Sequence, residues 1–357
     1  MSERKPLTGR GAVSNPENRF ARTRSARLFD DWNGELDALP QMATTLAAET
    51  ARSIITRNTS PDVPFEQSIN PYRGCEHGCV YCFARTTHSY LDLSPGLDFE
   101  TRLFYKHNAC ELLEAELRRP GYVCKPITLG INTDAYQPIE RRLGLTRRLL
   151  ALLLEYRHPV SIVTKGITIL RDLDLLEALA GMNLVSVMVS LTTLDNGLKR
   201  IMEPRTASPA ARLKVISALR DIGIAPGVLV APVIPAINDQ EIEAICEASA
   251  EAGAAWADYV LIRLPHELSG MFCDWLHTHF PERAEHVMSL IRQMRGGRAY
   301  DSRFGVRMSG TGPFAELLAR RLDVARRRHG LNRGGRGGLD CSRFRPPKRS
   351  GDQLTLI

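Results

Sequence analysis

Gly74-Cys75-Glu76-His77-Gly78-Cys79-Val80-Tyr81-Cys82-Phe83 is the stretch on which the reading of this chain turns. Three cysteines stand at C-x3-C-x2-C spacing, with an aromatic just before the third. Thiolates this close together converge on a metal. Tetrahedral zinc takes four nitrogen or sulfur ligands, often supplied as C-x2-C pairs. A [4Fe–4S] cluster takes four cysteines. The stretch supplies three, so a cluster held here keeps one iron without a protein thiolate. Such an iron is open to chelation by a small molecule through an amine and a carboxylate. Two alternatives stay open: a structural zinc knot with His77 as fourth ligand, and a fully ligated redox cluster completed by Cys110 or Cys124. His77 lies inside the loop between two ligands, an awkward place to close a tetrahedron, and its other expected role is a solvated loop residue.

The surrounding wording points to a family. Asn70-Pro71-Tyr72-Arg73-Gly74-Cys75 and Cys82-Phe83-Ala84-Arg85, with Tyr81 as the aromatic, resemble the signature of the radical S-adenosylmethionine (SAM) superfamily. The branch they resemble is the one related to spore photoproduct lyase, DNA repair photolyase-like, and within it an uncharacterised bacterial group. The resemblance covers residues 50 to 330. It implies an incomplete TIM-like (β/α)6 barrel, Cys75, Cys79 and Cys82 as ligands of a [4Fe–4S] cluster, and SAM as cofactor. It further implies an electron donor such as flavodoxin or ferredoxin. The implied reaction is reductive cleavage of SAM to a 5′-deoxyadenosyl radical, which abstracts hydrogen from a substrate.

One departure bears on the substrate. In spore photoproduct lyase the hydrogen-donating cysteine lies near the end of the second barrel strand. The matching stretch here, Gly130-Ile131-Asn132-Thr133-Asp134, has no cysteine. Cys124, just before that strand, is either a substitute donor or a packed thiol. The expectation is therefore a lyase-like radical enzyme with a different, unidentified substrate, nucleic acid being one candidate. A nucleic-acid-binding protein with a structural zinc or iron–sulfur site is the alternative. It leaves Lys165, Ser190 and Arg205 without a purpose.

Composition is that of an ordinary globular chain: 43% hydrophobic and 24% charged over 357 residues, enough to bury a large core. The formal net charge of +7 permits a polyanionic partner. The eight cysteines show no dense small-domain pattern, which argues against a disulfide framework. Cys110, Cys124, Cys246, Cys273 and Cys341 are scattered and read as small buried hydrophobes or spare thiols. The segment Met1 to Arg10 is polar and basic without an apolar stretch, so no signal peptide is expected. No apolar run reaches membrane-spanning length. The expected location is cytoplasmic, without membrane partners.

Residues 1–50 read as a polar basic arm, with Leu28, Phe29 and Trp32 packing its later part on the core. Residues 51–295 read as the barrel. Ser53 to Thr56 is a short strand, and Ser68 to Tyr72 the first barrel strand, ending at Gly74. An alternation follows: helix Cys110–Arg118, strand Pro126–Ile131, helix Leu145–Tyr156, strand Val160–Thr164 and helix Leu173–Ala180. It continues with strand Leu184–Leu191, helix Ala210–Ile222, strand Val228–Val233, helix Asp239–Ala252 and strand Tyr259–Ile262. Short apolar runs alternating with amphipathic segments argue for about six βαβ units and a parallel sheet. A further helix is expected over residues 271–295. Residues 296–357 hold a last helix, Pro313–Arg328, and a Gly/Arg tail with Arg333, Arg336 and Phe344.

In β/α barrels chemistry sits at the carboxyl ends of strands. The second strand ends in Asn132 and Asp134, which either hold amino or ribose groups of a nucleoside or cap the next turn. Lys165 ends the third strand, where an ammonium needs an anion or an escape to solvent. Ser190 ends the fourth, and the family resemblance matches Ser190, Glu203 and Arg205 to positions that contact the cofactor's methionine end or ribose. Arg205 has the planar fork that suits a carboxylate; its other expectation is a surface pair with Glu203. Phe83 is placed for backbone or stacking contact with the adenine, or as a packing aromatic. The fifth strand's Ala231-Pro232-Val233-Ile234-Pro235 offers backbone groups for the adenine.

Overall fold

The computed structural model describes residues 9–20, 43–332 and 338–347. Leu28, Phe29, Trp32, Arg333 and Arg336 lie outside the described residues. Among the described residues ten strands follow one another: β1 (Thr45–Glu49), β2 (Ile55–Arg57), β3 (Gln67–Ile69), β4 (Tyr72–Arg73), β5 (Arg102–Lys106), β6 (Ile127–Leu129), β7 (Val160–Thr164), β8 (Val185–Ser190), β9 (Gly227–Val233) and β10 (Trp256–Leu261). They form two sheets. The larger has the order β10-β9-β8-β7-β6-β3-β2. Its first six strands pair in parallel, and β2 is added antiparallel to β3. Helices Ala109–Leu117, Leu145–Glu155, Leu173–Ala180, Pro209–Asp221 and Ile242–Glu251 connect the parallel strands. This is the expected six-unit α/β partial barrel.

The strands form because they carry β-branched runs whose residues are buried among helices: Val160, Ile162, Val187, Val189, Val228 and Val230 are all at most 1% exposed. Leu149, Leu150, Leu153, Leu176, Leu179, Ile216 and Leu219 from the helices fill the same core. Helix starts are set locally. Ser208 accepts from Ala211 N at 3.2 Å with Pro209 in the first turn, a strong stop-and-start signal.

Three expectations need correction. The first barrel strand stops at Ile69 rather than reaching Gly74. Pro71 has no N–H for the ladder, its carbonyl accepts from Lys106 N at 3.0 Å, and Tyr72–Arg73 turns away to pair with β5. The segment 271–295 is two helices, Leu268–His279 and Ala284–Gln293, separated at Pro281. The smaller sheet, β1-β5-β4, was not expected from the sequence. Its pairing is between distant segments, and it stands beside the cysteine loop.

The described segments 9–20 and 338–347 are tied to the barrel. Gly11 N and Ala12 N donate to Glu100 at 3.1 and 2.8 Å. At the opposite, amino-terminal end of the strands, Asp340 N donates to Asn183 O and Arg345 N to Tyr156 O, both at 3.0 Å. The Phe344 ring packs against Tyr122 and His158 with centroids 5.4 and 5.3 Å away. No described helix is long and apolar enough to cross a membrane.

Candidate metal and cofactor site

The cysteine loop leaves β4 and enters the one-sided turns of Phe83–Leu91. Gly74 and Gly78 adopt φ of +76° and +67°, a region that favours glycine. A Cβ on Gly78 would stand 2.7 Å from Glu100 Oε2, and one on Gly11 would meet Gly78 O at 1.8 Å. The loop backbone is thus packed directly against two other segments. What fixes it is Arg85. Its guanidinium is fully buried and donates to the carbonyls of Cys79 (2.8 Å), Gly78 (3.0 Å), Pro95 (3.1 Å) and Gly96 (2.8 Å), and to Glu100 Oε1 at 2.5 Å. A second buried pair lies behind it. Arg212 donates to Glu203, to Thr206 Oγ1 at 2.6 Å and to Ser190 O at 3.0 Å, and the Tyr81 hydroxyl donates to Glu203.

Cys75, Cys79 and Cys82 are free thiols in this loop, the first two buried. Burial pushes Cys75 well above the usual thiol range, and Asp134, Cys79 and Cys82 push it further. Cys79 is held up at about 12 by burial and Glu203, with Lys165 pulling down. Cys82 is raised by burial against the pull of Arg85. Cys75 and Cys79 therefore each feel another thiol of the set. Buried thiols that penalise their own ionisation are a donor set that gains its thiolates by binding a cation. Among the described residues no three Cys, His, Asp or Glu side chains close on a single ion. One zinc draws its thiolates onto one point, whereas a [4Fe–4S] cluster takes one thiolate per iron and tolerates wider spacing. The residues present fit the cluster.

His77 is buried, not solvated, and faces Asp134 Oδ2 through Nδ1 at 3.4 Å. Burial drives its imidazole down to about 4 despite Asp134, so it is neutral at ordinary pH. Cys110 and Cys124 are no part of the loop. Cys110 is influenced by Arg148 and Glu111. Cys124, ahead of β6 at the barrel's closed end, is raised to about 12 by burial and by its neighbour Cys341.

The strand ends converge on the loop from the other side. Asp134 is taken up by the fold: it accepts from Thr164 Oγ1 (2.8 Å), Lys165 N (2.7 Å) and Tyr136 N (2.8 Å). Its expected capping role is the one the geometry displays. Asn132 N donates to Asn70 Oδ1 at 3.0 Å, and its half-buried side chain makes no hydrogen bond among the described residues. Lys165 Nζ stands 5.9 Å from the Tyr81 ring centroid and meets no acceptor among the described residues. Ser190 Oγ donates to Ala231 O at 3.2 Å, and Thr192 Oγ1 donates to the same carbonyl at 3.0 Å, so the fifth strand's Ala231 C=O is engaged. Arg205 pairs with Glu76 Oε1 at 2.7 Å rather than with Glu203; Glu203 is sealed behind it with Arg212. Phe83 is half-buried with the Arg263 guanidinium 4.6 Å above its ring.

Sequence reasoning missed Arg85, Glu100, Glu76, Arg212 and Arg263. The one signal for Arg85 was its place three residues after the third cysteine. Glu76 lies inside the loop itself, but its partner Arg205 is far along the chain; Glu100, Arg212 and Arg263 meet the loop from other segments, and nothing local marks them.

The Radical SAM superfamily model matches residues 69–248, half of the chain, and begins just ahead of the cysteine loop. The chain belongs to the radical SAM superfamily. It is a radical SAM enzyme, and the family's [4Fe–4S] cluster and S-adenosylmethionine are its cofactors. An uncharacterized protein of Mycobacterium tuberculosis is 40% identical over 233 residues, which span 65% of this chain and 68% of that protein. An uncharacterized protein of Methanocaldococcus jannaschii is 26% identical over 217 residues, 61% of this chain and 77% of the relative. Among solved structures, spore photoproduct lyase complexed with dinucleoside spore photoproduct superposes with a TM-score of 0.57 at 15% identity, over 82% of both chains. That likeness is one of fold.

Proposed function

We propose that Cys75, Cys79 and Cys82 hold the [4Fe–4S] cluster, and that the enzyme abstracts hydrogen from an unidentified substrate admitted to the barrel mouth. The observation that carries the reading is the set of three thiols, two buried and one half-buried, on a single loop clamped by Arg85. Bound there, the cluster and S-adenosylmethionine supply reductive cofactor cleavage and the hydrogen abstraction that follows. This chain's residues do the positioning. Arg85 fixes the carbonyls of Gly78 and Cys79, which fixes the direction of the thiols. Lys165 and Arg205 present cations to the cofactor's carboxylate, and Asn132 offers an amide to its nucleoside. Phe83 borders the mouth beside the third thiol, and Tyr81 is anchored by Glu203 and Thr192. An electron donor of the flavodoxin or ferredoxin kind completes the system. A nucleic-acid substrate is supported by the net charge of +7 and by the fold shared with spore photoproduct lyase.

The test is anaerobic reconstitution, reduction, and chromatography for 5′-deoxyadenosine after adding S-adenosylmethionine. The wild type forms it with iron and sulfide bound; Cys79→Ser does not. Full cleavage by Cys79→Ser, or zinc in place of iron in the wild type, refutes the ligand assignment.

A further inference from the structure

Among the described arginines with buried guanidinium atoms, Arg263 differs from Arg85, Arg212 and Arg295. Arg85, Arg212 and Arg295 are at most 1% exposed and fully engaged. Arg295 donates to Val306 O at 2.6 Å and Ile262 O at 2.9 Å. Arg263 stands two residues beyond β10, at the carboxyl end of the sixth parallel strand. Its Nε is buried and has no hydrogen-bond partner. Its remaining contacts are poor: Nη1 faces the Met308 sulfur at 3.8 Å, and Nη2 reaches the Tyr300 hydroxyl at 3.5 Å. A thioether is a weak acceptor, and 3.5 Å is the outer limit of a hydrogen bond. No carboxylate or carbonyl among the described residues receives this group. The nearby acid, Asp301, is turned to Arg303 at 2.7 Å, while Arg295 adds a second positive charge close by.

The side chain is nonetheless held in place. Phe83 lies 4.6 Å beneath its guanidinium carbon. Stacking on a ring leaves the in-plane N–H edges as donors, and the fork they make matches two oxygens of one oxyacid group. A partly dehydrated cation with one buried N–H unpaired and two weakly paired is a site for an anion that arrives from outside. Phe83 directly follows Cys82, so the anion would be received beside the third thiol. Lys165 ends β7 and Arg205 follows the helix Asn196–Met202, which leaves Arg263 for a different anion than the cofactor's own carboxylate.

We propose that Arg263, stacked on Phe83, anchors the substrate through an anionic oxygen group, a phosphate or a carboxylate. The inference rests on the radical SAM reading of the same mouth. The test is thermal melting of the anaerobic, reconstituted protein with inorganic phosphate or acetate, against chloride at equal ionic strength. At tenfold over its dissociation constant, a bound anion raises Tm by about 2 °C in a chain of this size. Phosphate also stabilises folded chains generally. That part is common to wild type, Arg263→Gln and the surface control Arg303→Gln, and cancels between them.

The expected result is a specific rise in wild type and Arg303→Gln, lost in Arg263→Gln and partly kept in Arg263→Lys. A larger response to phosphate than to acetate identifies a phosphoryl substrate, and the reverse a carboxylate. A rise that survives in Arg263→Gln overturns the proposal. So does a rise that saturating S-adenosylmethionine abolishes, because Arg263 would then hold the cofactor. Failure of the family reading is separate: S-adenosylmethionine alone would produce no shift, while the anion response of Arg263 would still be measured.

Discussion

Removing the Arg85 side chain should unfix the cysteine loop, and the size of the effect follows from its contacts. Arg85→Met keeps most of the apolar bulk but removes donors to the carbonyls of Gly78, Cys79, Pro95 and Gly96 and leaves Glu100 buried without its cation. Glu100 retains the N–H groups of Gly11 and Ala12 and the charge of the half-buried Arg10. Breaking one side of a buried ion pair costs about 3–5 kcal/mol. With an unfolding entropy of ~2.1 cal/mol/K per residue over 357 residues, each kcal/mol lowers Tm by about 1.3 °C. The expected drop is therefore about 4–7 °C by circular dichroism, with a matching loss of iron per chain after reconstitution. Adding Glu100→Gln removes the stranded charge, so the double variant should melt no lower than Arg85→Met. A variant melting within ~1 °C of wild type with full iron would refute the clamp. Additive losses in the double variant would show that the two groups do not act as a pair.

Gly78→Ala combines a positive φ with a Cβ at 2.7 Å from Glu100 Oε2 and should cost about 1–3 kcal/mol, read as lowered Tm; an unchanged Tm would show that the loop can shift. Lys165→Met should raise the S-adenosylmethionine dissociation constant about 10- to 100-fold, the worth of a charge-assisted hydrogen bond, measured by equilibrium dialysis; unchanged affinity removes Lys165 from the cofactor site. His158 is held down to about 4 by burial, against the pull of the Pro159 carbonyl. Since its folded pKa lies below the unfolded value near 6.5, the unfolded chain binds the extra proton and stability falls as pH drops from about 6.5 to 4. His158→Gln should therefore lose less Tm than wild type between pH 7.5 and 5; equal losses would assign the acid sensitivity to other groups.

What was legible in the sequence was whatever a local pattern determines. Val160–Thr164, Leu173–Ala180 and Pro313–Arg328 fall where the apolar periodicity placed them, because a buried β-branched run or an amphipathic stripe leaves little choice. The end of β3 was not legible. Asn70 was read as strand, but its side chain accepts from Asn132 N, a contact between positions sixty residues apart. The small sheet was missed for the same reason, although Leu103, Phe104 and Tyr105 carry strand-forming side chains. At the site, the residue types were legible and their assignments were not. Asp134 and Lys165 are both polar groups at strand ends. The carboxylate points back into the fold and is taken by Thr164, Lys165 N and Tyr136 N, whereas the ammonium stands 5.9 Å from the Tyr81 ring centroid. A sequence does not encode that difference locally. His77 is the sharpest case, since a loop histidine between two glycine-flanked cysteines reads as solvated, and burial follows only from the segments folded over it.

A six-stranded parallel arc has two edges, and unpaired edges invite further strands. Each edge here is closed by different means. On one side β2 pairs antiparallel with β3, which ends the parallel run. On the other, Leu261 N donates to Met308 O at 2.9 Å and Trp256 bridges Asn332, so later chain covers β10. The loop after β2 and the segment covering β10 then meet. Arg307 grips Asp62 with Nε at 2.7 Å and Nη2 at 2.5 Å, holding its carboxyl below the usual range, with the side chains 17% and 8% exposed. A bidentate pair this well covered is worth more than an exposed ion pair. It joins two parts of the chain that the sheet itself leaves separate. The amino-terminal end of the barrel is meanwhile packed by Phe344 against Tyr122 and His158. Both edges and that end are covered by described residues, and the carboxyl end of the strands is where Lys165 and Arg263 stand. Arg307→Ala should thus loosen the side of the barrel without touching the cysteine loop. Hydrogen exchange would then quicken in residues 58–66 and 303–310 but not in 75–85, and quickening in the loop instead would show that the two closures are not independent.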